Sequence, residues 1–167
     1  MTRELKSRLT AAAYSLQFPV TLSLADGSGK IDRYIQQGVS GVSAENAPFR
    51  RRIDLWGLGL AVGLAENLSP FEGDMRKFVD TRNVEVSEHL AAIIFIAAVS
   101  RLGADNPELD DTSTVVATCN RIAGAGVDEI LNWFENDSMA TTSLTSVLRH
   151  AGGLRQRIAE NAVGVAH

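Results

Sequence analysis

Apolar residues recur along most of the chain at steps of three and four, the spacing of one face of an α-helix. Leu5, Leu9, Ala12 and Leu16 open the series and predict an amphipathic helix that Pro19 ends. Phe49, Ile53, Trp56, Leu60 and Leu64 predict another from Phe49 to about Asn67, with Pro48 at or just before its start. A helix from about Val84 to Leu102 follows, capped by Asn83 and closed by Arg101 and Gly103. Its centre, AAIIFIAAV, is apolar on every side, the pattern of a helix surrounded by others. Val116, Cys119, Ala123, Val127, Ile130 and Phe134 then stay in phase across Gly124 and Gly126. They predict one kinked helix or two nearly collinear ones, with Asp110, Asp111 and Thr112 at the start. Leu144, Leu148, Ala151, Leu154 and Ile158 mark a last helix. Two shorter features interrupt the series. Val20, Leu22 and Leu24 alternate with polar residues, which predicts a short extended stretch, and Ile31 to Gln37 reads as a brief helix stopped at Gly38. The fold class expected is all-α: a compact bundle of five or six helices forming one domain over residues 1–167.

Glycine changes that picture in one place. Gly57, Gly59 and Gly63 lie inside a predicted helix, where each costs about 1 kcal/mol against alanine. Close approach of a neighbouring backbone across Gly59 and Gly63 is the expected reason. Composition adds bounds. The 167 residues are 45% apolar and 22% charged, enough for one sizeable core and against extensive disorder. Cys119 is the only cysteine, so an intrachain disulfide and every multi-cysteine zinc signature are excluded. The N-terminal stretch mixes charge into its apolar pattern and offers no signal-peptide core. Leu55 to Ala65 and Leu90 to Val99 are the longest apolar runs, well short of the about 18 residues of a membrane span. A cytoplasmic chain without membrane contact is expected.

Charge is distributed unevenly. Residues 1–52 carry eight Lys/Arg and four Asp/Glu, residues 53–147 five and fifteen, residues 148–167 three and one. An acidic middle between basic ends suits a contact with protein, or self-association, as well as it suits nucleic acid.

Motifs of chemistry are weak. ADGSGKIDRY lacks the glycine and the Ser/Thr that a phosphate loop requires, and as a calcium loop it would place Lys30 at a ligand position. Glu85 and His89 are four apart on a predicted helix, but no third metal ligand is recognisable. Cys119 lies on an apolar stripe, which favours core packing over a nucleophile beside His150. Asp110 and Asp111 read as a helix cap, and Trp56 and Trp133 as core. No catalytic residue, metal or cofactor is expected on these grounds. What stands out is Arg50, Arg51 and Arg52, three cations placed where a helix begins, against the positive end of its dipole. They read either as a solvated patch, with Arg50 reaching Asp54 at i,i+4, or as a site for an anion, a carboxylate of a protein partner or a phosphate of DNA or RNA, since guanidinium forks suit both. Arg149, Arg155 and Arg157, with Lys6 and Arg8, extend the patch if the termini fold near it, and the acidic Asp105 to Asp111 segment is a second candidate contact.

The segments PFRRRIDLWGLGLAVGL, EHLAAIIFIAAVS and CNRIAGAGVDEILNWFEND together resemble the small helical accessory proteins of bacterial DNA-phosphorothioation (Dnd) systems, over about residues 48–137. The resemblance implies a component of a DNA-modification or antiphage defence locus that works with larger partners, and it brings no catalytic residues. The function expected is a non-catalytic helical accessory or adaptor subunit that binds protein partners, itself included. The alternatives are a nucleic-acid-binding small subunit of a larger nucleoprotein effector, and an enzyme whose site is completed only on oligomerisation.

Overall fold

A computed structural model describes residues 15–22, 29–36, 43–78 and 87–164, without side chains at residue 88 and from residue 154 onward. The helix predicted around Leu5 to Leu16 therefore lies almost wholly outside the described residues. Within them are four α-helices: α1 (Arg52–Ala65), α2 (Glu88–Leu102), α3 (Thr112–Asn136) and α4 (Ser143–Gly164). Two strands, β1 (Gln17–Pro19) and β2 (Met75–Lys77), pair antiparallel with Phe18 opposite Arg76. Short 3-10 turns occupy Asp32–Tyr34 and Pro107–Asp110. The chain is thus mostly helical with a small two-stranded sheet, and the expected clean bundle of five or six helices is corrected accordingly. The extended stretch starts three residues earlier than Val20, because the pairing that fixes it comes from a distant segment. Val20 and Leu22 instead form a turn, with Leu22 buried.

The glycines of α1 meet those of α3. A methyl group on Gly59 would strike Val127 and the Ala123 carbonyl oxygen, and one on Gly63 would strike Ile122. On the facing helix, a methyl on Gly126 would run into the Gly59 carbonyl. The two backbones touch, as the small-residue spacing predicts. Phe49 lies near Phe134 at one end and Gly63 against Ile122 at the other, so the helices run in opposite directions. α3 is continuous from Thr112 to Asn136, with no break at its glycines.

Helix ends follow from local chemistry. Asp111 caps α3 by accepting from the Ser113 and Thr114 amides, as acids at the start require. Ser87, not Asn83, caps α2, and Gly103 closes it at φ 91°, a conformation glycine adopts without a side-chain clash. α1 ends in a Schellman turn: Asn67 sits at φ 49°, Leu68 N–H donates to Gly63 O, and Asn67 N–H donates to Leu64 O.

The core is one cluster drawn from β1, the 3-10 turn at Asp32 and helices α1 to α3, with Trp56, Phe18, Leu16 and Ile31 among its fully buried side chains. Asn120 is its polar member. Its side-chain oxygen accepts from Trp56 Nε1 at 3.1 Å and from the Gln17 amide at 3.0 Å, and its amide nitrogen donates to the Ser15 carbonyl at 3.0 Å. That one residue ties α3 to α1 and to the start of β1. No helix among the described residues is long and apolar enough to cross a membrane.

Candidate functional site

The arginine cluster is dismantled by its own neighbours. α1 begins at Arg52, with Arg51 as its N-cap, so Arg50 and Arg51 precede the helix and do not sit in its first turn. Asp54 reaches back to the Arg51 amide at 2.9 Å and holds the Arg51 guanidinium at 2.8 Å. Arg51 cannot return a capping bond, since guanidinium has no acceptor. Its pairing with Asp54 raises its pKa further above the ordinary arginine value. Arg52 turns the other way and binds Asp32 at 2.6 Å. Asp32 also accepts from the Gly29 amide, which shapes the turn that places it there. Arg50 alone is exposed with no ion-pair partner among the described residues. The i,i+4 spacing of Arg50 and Asp54 is therefore unused; the pair forms one residue later, at i,i+3.

Among the described residues, the other basic side chains named with it are paired elsewhere. Arg149 is bound to Asp137 and to the Met139 carbonyl, and Arg33 pairs with Glu135. Lys6, Arg8 and the side chains of Arg155 and Arg157 lie outside what is described. The acidic segment keeps Asp105 and Glu108 exposed, while Asp111 is committed to capping. Hydrogen bonds from Thr114 and Ser113 hold the Asp111 carboxyl down at about 2.

Asp137 centres a second polar cluster, at the junction of α3 and α4. Its side chain is 6% exposed and takes Arg149, with His150 Nε2 3.5 Å from its second oxygen. His150 stacks flat on Trp133, 4.6 Å between centroids, and Trp133 donates to Glu129. These side chains line a shallow groove of about 460 Å³. The arrangement pins the start of α4 to the end of α3. Cys119 is core: its thiol meets the Ile94 carbonyl and burial pushes its pKa up to about 12, far from a reactive thiolate. Among the described residues, no three His, Cys, Asp or Glu side chains come together to hold a metal. Glu85, the suggested partner of His89, lies outside them.

The surface that sequence reasoning missed is the outer side of α2. Ala91, Ile94, Ala97 and Ala98 are buried inward, and Cys119 of α3 bonds to Ile94. On the opposite side His89, Ala92, Ile96 and Gly103 are exposed and Val99 is half-buried, a stripe at steps of three, four, three and four. Phe95 is 43% exposed and Ile96 60%. The expectation of a helix surrounded by others is thus corrected for the described residues, among which α1 and α3 cover one side only. A signal existed in the numbering, since the outward stripe has the seam spacing of a coiled coil. It was hidden because the inward face of the same helix is equally apolar.

No family model, curated protein or solved structure matches the chain.

Proposed function

We propose that this chain is a non-catalytic helical adaptor subunit that docks on a protein partner through the outer face of α2. The setting we assign to it is a bacterial DNA-modification or antiphage defence complex, on the strength of the Dnd resemblance. One observation carries the docking reading: Ala92, Phe95, Ile96 and Ser100 form an exposed stripe with no charged side chain between His89 and Arg101. Phe95 and Ile96 side chains left in water forgo much of the roughly 1.5–3 kcal/mol that full burial of each contributes. A helix laid along such a seam recovers that burial, in the manner of helix-in-groove recognition. The pairing of Arg51 and Arg52 with carboxylates of the same chain moves the reading away from phosphate and from the arginine cluster, leaving Arg50 as the one of the three without an ion-pair partner among the described residues.

The test is co-expression with the products of neighbouring genes. Phe95→Asp with Ile96→Asp should abolish co-purification, whereas Arg50→Ala, Arg51→Ala and Arg52→Ala together should weaken it little. Undiminished capture by the double aspartate variant sinks the proposal.

A further inference from the structure

We infer that the junction of α3 and α4 is a proton-operated clamp, in which His150, as imidazolium, closes on the Asp137 carboxylate and seats α4. The inference is independent of the docking face on α2. It starts from a carboxylate that is served on one side only. Asp137 caps the C-terminal end of α3, with its side chain 6% exposed. Its Oδ1 accepts from Arg149 Nη1 and from the Met139 amide. Its Oδ2 is buried and has no hydrogen-bond partner. A guanidinium often spans both oxygens of a carboxylate, but the second arm of Arg149 donates to the Met139 carbonyl at 3.0 Å. The group left facing Oδ2 is His150, whose Nε2 stands 3.5 Å away. That separation is too long for a good hydrogen bond, yet short enough for Coulombic attraction once the ring is charged.

Three features favour the charged ring. The Asp137 carboxylate supplies the opposite charge from a buried position, where salt screens it least. The imidazole lies flat on Trp133, 7° between planes and 4.6 Å between centroids, and an aromatic face attracts a cation. Trp133 and Asp137 belong to the last turn of α3 and its cap, where the helix dipole is negative. The charged side chains lining the groove with His150 are Glu129 and Asp137 from α3 and its cap, and Arg149 from α4. Glu129 accepts from Trp133 Nε1 at 3.0 Å. Arg149 opposes a second cation, but its charge is already set against Oδ1. With His150 protonated, two cations stand against two carboxylates; with it neutral, one carboxylate goes unanswered. The His150 side chain is 33% exposed, so protons reach it from solvent. By linkage, a contact that favours a protonated group strengthens as pH falls through that group's range and weakens as pH rises through it. For an imidazole that range lies around pH 6.5, at about which ordinary carboxylates stay ionised. α4 is accordingly seated more firmly on the acid side of that range than on the alkaline side.

Hydrogen exchange on the full chain reads the clamp directly. Protection factors of the α4 amides, which already allow for the intrinsic pH dependence of exchange, should be about tenfold higher at about pH 5.5 than at about pH 8. Amides of α3 should change less. His150→Phe keeps a ring on Trp133 but takes up no proton, and its α4 protection should be the same at both pH values. A second readout needs no substitution. An imidazolium stacked on an indole quenches its fluorescence, so Trp133 emission should fall as pH drops through the same window. Trp56, bonded to Asn120 in the core, supplies a steady background. Protection of α4 that is unchanged between the two pH values, a pH response of equal size in His150→Phe, or tryptophan emission that stays flat across the window would overturn the inference.

Discussion

Asp111 shows how far one side chain can be bound to its backbone. It accepts from the Ser113 and Thr114 hydroxyls and amides, bonds that are stronger to the ionised carboxylate and that come together only when α3 is formed. Its pKa falls from 3.8 in the free group to about 2. A depressed carboxylate contributes stability that is fully present above the unfolded value and is lost as pH drops through the folded one. The melting temperature should therefore decline between about pH 4 and about pH 2, and Asp111→Asn should flatten part of that decline when melts are followed by circular dichroism. Asn120 is the buried counterpart. Replacing it with alanine strands the buried Trp56 N–H and the half-buried Gln17 N–H and Ser15 carbonyl. Each buried polar group left unmatched costs about 1–3 kcal/mol, so urea denaturation should report a loss of about 3 kcal/mol or more. Asn120 was invisible in the sequence because its partners lie 64 to 105 residues away. Asp111 was legible because its partners are two and three residues on.

At the scale of elements, the same division separates what periodicity reveals from what it conceals. That a backbone crosses α1 was readable, since three glycines in an apolar helix need such a neighbour and Gly59 and Gly63 have one; that α3 supplies it was not. Gly126→Ala tests it. The added methyl collides with the Gly59 carbonyl, which cannot swing aside as a side chain could, and the variant should unfold or lose several degrees in melting temperature. Gly152→Ala in α4 is the control. Nothing lies within 4 Å of the added carbon, and helix propensity favours alanine by about 1 kcal/mol, so its melting temperature should hold or rise. If glycines served only as helix flaws, Gly126→Ala would raise the melting temperature as well. Periodicity failed at β1 and β2, because strands of three residues carry too few positions to alternate. It failed again at α2, where burial on one side and exposure on the other present the same apolar letters. The start of α1 was placed too early for a related reason. Phe49 is in phase with the helix, yet it pairs in an isolated bridge with Ile35 and precedes the first helical turn.

For the molecule as a whole, two surfaces compete to explain what it meets, and they differ in physics. Contact through the arginines would be electrostatic, and phosphate neutralisation in particular releases counterions, so affinity would drop steeply as salt rises. Contact through α2 buries Ala92, Phe95, Ile96 and Ser100 with no ion pair at the centre. Beyond a Debye length of about 8 Å at physiological salt, the surrounding charges matter little. The structure already spends Arg51 on Asp54 and Arg52 on Asp32; the first pair is exposed and of a kind that contributes about 1 kcal/mol or less, and the second is half-buried. Both could in principle be broken by a stronger anion, so geometry alone does not silence them. Titration of the chain with a purified partner at about 50 mM and about 500 mM salt separates the two mechanisms. An apolar seam should hold Kd within about threefold across that range, with a negative heat-capacity change on binding. A loss of about a hundredfold or more, relieved by Arg50→Ala, would instead place the contact at the N-terminal end of α1 and return the three arginines to the centre of the function.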